Sequence, residues 1–248
     1  MKRIMIIPLL CLPHLALAED AGLWSYEGDT GPAEWGDLSA EYATCKIGLM
    51  QSPIELGPGG AAAALEYERD YRSVPLNVWN NGRTVVLTAR GGGEMHTAGT
   101  DFALMQVHFH TPSEHTLNGD SFPAEIHFVH QAAVGQLAVL GVLLTEGEAH
   151  PELDKLLPHM TAEPDEPVNV DGVSFDPAAL LPRDAAVYRY TGSLTTPPCS
   201  ENVAWHVLSE PVTASAEQIA ALIEVMGENN RPLQPANNRL IVNPPTGG

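Results

Sequence analysis

Hydrophobic and polar positions alternate over many short stretches of this 248-residue chain, a pattern typical of β-strands. Strands, several with both faces apolar, are predicted at residues 83–89, 102–110, 124–131, 137–144 and 202–208. Helical spacing is rarer: a helix is predicted after Ser215, which forms a capping box with Gln218, and a shorter one near 151–157. The pattern therefore predicts a single, mainly β domain with a few short helices.

The first 18 residues have the pattern of a secretory signal peptide. Two basic residues precede an apolar run from Ile4 to Ala18, which ends in "ALA". The run is interrupted by Pro8 and Pro13, and it is shorter than the ~20 residues that a membrane span needs. We therefore expect cleavage after Ala18, leaving a mature domain of residues 19–248 that is periplasmic or secreted and has no membrane anchor.

The net charge of the chain argues against two classes of binding partner. The chain has 31 acidic and 12 basic residues, and its formal net charge of −19 repels nucleic acids and anionic lipids. Removal of the signal peptide leaves two cysteines, Cys45 and Cys199. In an oxidising compartment two cysteines suggest one disulfide, although two free buried thiols are the alternative.

A histidine cluster lies in the stretch "QVHFHTPSEH" at residues 106–115. In a strand Gln106, His108 and His110 share one face, and in the predicted strand at 124–131 Glu125 and His127 share one face. If the two strands pair, three histidines meet, which suits a catalytic zinc with an open fourth position. An isolated His-x-His pair is more often packed or exposed, but acceptors two residues before the histidines favour the metal site.

The motifs of the chain resemble those of the α-class carbonic anhydrases, most closely the exported bacterial ones. The matching motifs run in the family's order from about Trp24 to Arg239: "QSPIEL" (51–56), "NNG" (80–82), "QVHFHTPSEH", "AEIHFVH", "LAVLGVLL", "GSLTTPPC" (192–199), "NVAWHVL" and "NNRPLQPANNR" (229–239). The resemblance implies a single domain on a large, mostly antiparallel twisted central sheet, with zinc at the base of a conical cleft.

The resemblance also assigns roles at a zinc centre. It implies that the zinc ligands are His108, His110 and His127. The second nitrogen of each ring is implied to donate to an acceptor, which is Gln106 for His108, the carbonyl of Asn238 for His110 and Glu125 for His127. Thr195 matches the residue that accepts a hydrogen bond from zinc-bound hydroxide and donates its own proton to Glu114, which orients the nucleophile. His115 and His130 match structural histidines.

Further matches describe the surroundings of the metal. The residues implied to form an apolar wall for CO₂ are Val129, Val139, Leu194, Val203 and Trp205. Thr196 matches a residue that lies beside the zinc-bound solvent. Tyr26 and Asn81 match a network that orders solvent, and Cys45 and Cys199 match cysteines that are bridged in exported members. Arg83 occupies the usual position of a proton-shuttle histidine, and a guanidinium cannot accept a proton at neutral pH.

The implied activity is zinc-dependent, reversible hydration of CO₂ to bicarbonate and a proton, with attack by zinc-bound hydroxide. Sulfonamides and small anions are the implied inhibitors at the zinc, and exported bacterial relatives often form homodimers. With Arg83 in the shuttle position, proton release is expected to limit turnover and imidazole buffer to relieve the limit. Two alternatives stay open: a zinc hydrolase acting on esters, an activity the family shows as a side reaction, and a noncatalytic binding domain, against which the complete ligand set argues.

Overall fold

The computed structural model describes residues 23–63, 67–182 and 185–245. The predicted signal peptide lies outside these residues. The described strands are β1 Glu55–Leu56, β2 Ala61–Ala62, β3 Tyr67–Tyr71, β4 Val74–Asn80, β5 Val85–Thr88, β6 Gly93–Thr97, β7 Thr100–His110, β8 Thr116–Leu117, β9 Ala124–Ala132, β10 Leu137–Glu146, β11 Val168–Phe175, β12 Val187–Ser193, β13 Glu201–Leu208, β14 Val212–Ala214 and β15 Val242–Asn243.

Helices are few and short, as the sequence predicts. The α-helices of the described chain are α1 Trp35–Leu38, α2 Thr44–Ile47, α3 Pro151–Leu156 and α4 Ala216–Met226. The 3₁₀ turns are Gly28–Thr30, Ala40–Tyr42, Leu157–His159 and Pro177–Leu180. None of the described helices is long and apolar enough to cross a membrane.

One large sheet organises the molecule. Ten of its strands follow the order β11-β4-β5-β7-β9-β10-β13-β12-β15-β2, and β3, β6 and β14 attach beside this path. Most neighbours are antiparallel; β10 pairs in parallel with β13 and β14, and β15 pairs in parallel with β2. The predicted mostly antiparallel sheet is confirmed, and all five predicted strands are present.

The start of β5 differs from its prediction. The strand begins at Val85 rather than at residue 83. The side-chain oxygen of Asn81 accepts hydrogen bonds from the backbone N–H groups of Arg83 (2.9 Å) and Thr84 (2.9 Å). This Asx-type turn uses the two donors locally, so the ladder of the sheet starts only after it.

A β-bulge in β7 changes which positions face the core. Leu104 pairs with His130 and Gln106 with Val129, so Met105 is an extra residue on β7. Before the bulge Phe102 and Leu104 are buried in the main core, whereas after it Val107 and Phe109 are. The bulge therefore frees the face carrying residues 106, 108 and 110 for chemistry while both halves of the strand stay anchored.

Candidate active site

Three imidazoles converge where β7 pairs with β9. His108 and His127 are directly opposite each other in the register of the two strands, and His110 lies two residues further along β7 on the same face. The ring centroids are 5.0 Å apart for His108–His110, 5.1 Å for His108–His127 and 4.5 Å for His110–His127. One nitrogen of each ring lies within 4.8 Å of the other two, which is close enough for a shared metal ion.

The other nitrogen of each ring donates a hydrogen bond. Nδ1 of His108 donates to Oε1 of Gln106 (2.9 Å), and Nε2 of His127 donates to Oε1 of Glu125 (2.9 Å). Nδ1 of His110 donates to the backbone carbonyl of Asn229 (2.7 Å). These bonds fix the tautomers, so Nε2 of His108, Nε2 of His110 and Nδ1 of His127 keep lone pairs for a ligand.

The assignment of Asn238 as the second acceptor is wrong. Asn238 is exposed, whereas Asn229 is 1% exposed and occupies the predicted place. The side chain of Asn229 also donates to the carbonyl of Phe109 (3.0 Å) and accepts from the N–H of Thr111 (2.7 Å). The C-terminal motif contains two Asn-Asn pairs, and spacing alone does not show which pair returns to β7.

Burial keeps the three histidines neutral. It lowers the pKa of His108 well below 6.5, that of His110 to about 4, and that of His127 below 6.5. Mutual repulsion of the imidazoles adds to this effect for His108 and His127. Neutral imidazole is the form that binds a metal, so the site is ready for a cation at neutral pH.

Glu125 connects the third histidine to the interior. Its Oε1 accepts from His127 and from Nδ1 of His115 (2.8 Å), and its Oε2 accepts from the N–H groups of Glu114 (2.9 Å) and His115 (2.8 Å). Burial by itself would raise the pKa of Glu125, but electrostatic attraction by His115 and His127 and the hydrogen bonds that they donate outweigh it and hold the pKa well below its usual range. Glu125 is therefore a buried carboxylate.

Two further histidines have structural positions, as the sequence resemblance implied. Nε2 of His115 hydrogen-bonds the hydroxyl of Tyr190 at 2.7 Å, so both its nitrogens have partners. His130 lies on the opposite face of β9, where its Nε2 hydrogen-bonds the hydroxyl of Tyr71 at 2.7 Å. Sequence reasoning did not identify Tyr190, because nothing in the residues around it marks a hydrogen-bond partner for a histidine 75 positions away.

Glu114 lies beside the free nitrogens of the cluster. Its Oε2 is 3.6 Å from Nε2 of His110 and 3.9 Å from Nδ1 of His127, while Oε1 accepts from the N–H of Arg231 (2.9 Å). Burial raises the pKa of Glu114 to about 7; electrostatic attraction by His127 and hydrogen bonds from Arg231 and Thr195 lower it by less than burial raises it. The structure thus brings Thr195 and Glu114 together at the histidines.

The predicted apolar wall is assembled in one cluster. Val139 on β10 is opposite Val129 on β9 and Trp205 on β13, and Leu194 and Val203 pack in the same cluster. The Trp205 ring lies 4.9 Å from the ring of His127. Thr196 follows on the half-buried loop after Leu194. An apolar surface therefore borders the histidine site.

Cys45 and Cys199 form a disulfide, with their Cα atoms 5.0 Å apart. The predicted pairing is confirmed. Cys199 closes the turn that carries Thr195 and Thr196, since its N–H donates to the carbonyl of Thr196 (2.9 Å). The bond joins this turn to α2, across 154 positions of sequence.

Arg231 ties the same region together and was not found from the sequence. Its guanidinium, 1% exposed, donates to the Gln51 side chain (2.9 Å) and to the carbonyls of Ser52 (2.8 Å) and Cys45 (2.9 Å). Its backbone N–H holds Glu114, as described above. An arginine in a Pro-containing C-terminal segment gives no sequence signal of such burial.

Comparison with known proteins agrees with this geometry. The profile of the family described as eukaryotic-type carbonic anhydrase matches residues 30–244. A carbonic anhydrase of Pectobacterium atrosepticum is 41% identical over 228 residues, covering 92% of this chain and 93% of that protein. The solved α-carbonic anhydrase of Thermovibrio ammonificans, in complex with the inhibitor sulfanilamide, matches with a TM-score of 0.85 at 46% identity, covering 89% of this chain and 98% of that one.

A second solved structure, the α-carbonic anhydrase of Photobacterium profundum, matches with a TM-score of 0.81 at 42% identity and covers 89% of this chain and 100% of that one. The likeness in sequence and the likeness in fold each extend over nearly the whole chain. The chain therefore belongs to the eukaryotic-type, or α-class, carbonic anhydrase family and is an enzyme of the reversible hydration of carbon dioxide to bicarbonate and a proton.

Proposed function

We propose that the enzyme is zinc-dependent and that His108, His110 and His127 hold the metal. The observation that carries the proposal is the convergence of three free nitrogens whose partner nitrogens are all hydrogen-bonded. Nε2 of His110 is buried without a hydrogen-bond partner, a cost that a metal ion would remove. Three neutral imidazoles that leave a fourth position open are the ligand set of a catalytic zinc.

Zinc in such a site would supply Lewis-acid chemistry and would lower the pKa of a bound water to about 7. A divalent cation at the histidines favours the ionised form of Glu114. Ionised Glu114 accepts a hydrogen bond from the hydroxyl of Thr195, which leaves the lone pairs of that hydroxyl free to accept a hydrogen bond from the attacking oxygen. Thr195 and Glu114 therefore act by orienting the nucleophile toward carbon dioxide.

Carbon dioxide carries no charge and no net dipole, so it needs an apolar place next to the nucleophile. The wall formed by Val129, Val139, Leu194, Val203 and Trp205 supplies this place. We assign Thr196, on the loop beside it, to the bicarbonate product and to sulfonamide or anion inhibitors. The Thermovibrio ammonificans relative is a complex with the inhibitor sulfanilamide, which supports the binding of a sulfonamide by this enzyme.

Each turnover releases a proton that must reach solvent. Arg83 holds its proton at neutral pH and takes no part in this relay. Tyr26 and Asn81 remain the proposed solvent-ordering residues, although Oδ1 of Asn81 is already engaged in its turn. Proton release to buffer is then the slow step at saturating carbon dioxide.

We also propose that the enzyme works in the periplasm or outside the cell. The disulfide between Cys45 and Cys199 supports an oxidising compartment, and the N-terminal 18 residues have the composition of a cleaved signal. Detection of a mature chain starting at Glu19 in an exported fraction would test this directly. An intact N-terminus in the cytoplasmic fraction would contradict it.

The first experiment combines metal analysis with stopped-flow carbon dioxide hydration of the mature protein. We expect one zinc per chain and a turnover at saturating carbon dioxide that rises with imidazole concentration. His127→Gln should lose both metal and activity, whereas His96→Gln, at a half-exposed histidine of β6, should keep both. A turnover that does not depend on imidazole concentration would refute the proposal that proton release limits the rate because Arg83 cannot transfer protons. Stoichiometric zinc without hydration would favour a binding role.

A further inference from the structure

The side chain of Arg83 reaches back to the first described residues of the chain. Nη2 of its guanidinium donates to the carbonyl of Trp24, and Nη1 donates to the carbonyl of Gly82 (3.1 Å). The guanidinium carbon also lies 4.5 Å from the centre of the Trp24 ring, a cation–π distance. Arg83 thus binds Trp24 through both its backbone and its side chain.

The backbone of Arg83 is itself held by the side chains of two asparagines, Asn81 and Asn229. Its N–H donates to Asn81 within the turn before β5, and its carbonyl accepts from the side chain of Asn229 (3.0 Å). Asn229 is the residue whose own carbonyl orients His110. The guanidinium therefore projects from a rigid base that is shared with the histidine site.

Trp24 belongs to an aromatic cluster with Tyr26 and Trp35, and the centre of the Trp35 ring lies 5.6 Å from the guanidinium carbon of Arg231, whose backbone N–H donates to Glu114. The Trp24 ring contacts Tyr26 at 5.5 Å and Trp35 at 5.1 Å, and Tyr26 and Trp35 are 5.8 Å apart, all three pairs edge to face. Burial raises the pKa of Tyr26, the charge of Glu114 raises it further, and the charge of Arg83 lowers it. The phenol of Tyr26 therefore stays protonated at neutral pH.

We propose that Arg83 is a positioning residue that clamps the N-terminal segment at Trp24 and thereby holds Tyr26 in its place against Trp35. Arginine suits this task because its planar guanidinium stacks on an indole while donating in its plane to a carbonyl, a combination that lysine does not reproduce. In this chain the residue at position 83 therefore positions the N-terminal segment and does not transfer protons. The catalytic consequence rests on the proposed function, but the clamp itself does not.

Fluorescence tests the clamp without reference to activity. In a Trp79→Phe background, Trp24 is the one half-buried tryptophan of the remaining three, since Trp35 and Trp205 are 0% and 1% exposed. Arg83→Met keeps the unbranched stem and removes the charge and the donors, and Arg90→Met removes the same charge from an exposed arginine of the following turn. We expect acrylamide quenching to rise about twofold in Arg83→Met and to stay unchanged in Arg90→Met.

Arg83→Lys separates the clamp from a simple effect of charge. If the stacked, planar guanidinium matters, the lysine variant is quenched like Arg83→Met; wild-type quenching in the lysine variant would overturn the proposal. Wild-type quenching and near-ultraviolet circular dichroism in Arg83→Met would overturn it as well. These readouts remain valid if the wild type proves inactive, so a failure of the proposed function is recognisable by itself.

Kinetics then test the link to Tyr26. We expect Arg83→Met to lower kcat at low imidazole by about threefold to tenfold and to leave KM for carbon dioxide unchanged, because the apolar wall is not touched. In a double-mutant cycle Tyr26→Phe should add little to Arg83→Met. Additive effects of the two substitutions would show that Arg83 does not act through Tyr26.

Discussion

Glu125 has four hydrogen-bond donors around one buried carboxylate. Two are imidazole N–H groups, from His127 and His115, and two are backbone N–H groups, from Glu114 and His115. Since all four partners donate, a carboxylate is required and a side chain with its own N–H group is mismatched. The residue therefore fixes a proposed metal ligand and the segment of Glu114 at the same time.

Glu125→Gln tests this arrangement. The amide oxygen can still accept from the two imidazoles, but its NH₂ group then faces two backbone donors. We expect zinc affinity to fall about tenfold to a hundredfold, measured by competition with a chromophoric chelator. Glu224→Gln, at an exposed carboxylate of α4, is the matched control. Equal zinc affinity in the two variants would contradict the proposed role.

At the scale of elements, α4 is joined to the rest of the molecule through its first turn. The capping box predicted from sequence is present, with the hydroxyl of Ser215 accepting from the N–H of Gln218 (3.2 Å) and the amide of Gln218 accepting from the N–H of Ser215 (3.0 Å). The same amide also exchanges hydrogen bonds with the backbone of His150 and donates to Asp154 (2.6 Å) at α3. One side chain therefore caps two helices.

We expect Gln218→Ala to destabilise the protein more than Ser215→Ala. Loss of the serine cap costs about 1 kcal/mol. Loss of Gln218 leaves several partners unsatisfied at a position only 3% exposed, which costs about 2–3 kcal/mol. Urea denaturation of both variants measures the difference. A larger cost for Ser215→Ala would show that the contacts to α3 contribute nothing.

The whole molecule carries buried neutral histidines on the core side of its sheet. His130 and His206 are 0% exposed, and their Nε2 atoms lie 2.7 Å from the hydroxyl of Tyr71 and 3.1 Å from that of Thr97. Burial lowers the pKa of His130 to about 3 and that of His206 to about 4. Because an unfolded histidine titrates near 6.5, the unfolded chain binds protons between pH 6.5 and 4 that the folded chain excludes.

Stability should therefore fall as the pH drops from 6.5 to 4. Each such histidine contributes a slope of about 1.4 kcal/mol per pH unit, and this stabilisation is fully present above pH 6.5. His206→Gln should flatten the dependence by about that amount in urea unfolding followed at several pH values. His96→Gln should not flatten it, because a hydrogen bond to Asp101 raises the pKa of His96. An unchanged slope in His206→Gln would contradict the prediction.

Local pattern was enough to predict five of the fifteen described strands, the helix α4 and the face shared by His108 and His110, because these follow from the fixed geometry of one backbone segment. Motif resemblance placed His127, Thr195, Glu114 and the disulfide. The apolar core positions of β7 change from even numbers (Phe102, Leu104) to odd numbers (Val107, Phe109), which is the sequence signal of the bulge at Met105. An unbroken strand fits the sequence of this segment equally well, so the signal alone does not predict the bulge.

Only the tertiary structure decided which distant groups meet the site. His110 finds its acceptor at Asn229, 119 positions away, and a backbone carbonyl carries no signature in the identity of its residue. The burial of Arg231 and the contact of Arg83 with Trp24 depend in the same way on where loops return in space. Sequence by itself determined the chemistry that this chain carries and the strands that carry it, because backbone periodicity is local; the partners that orient that chemistry come from long-range packing, which no local pattern encodes.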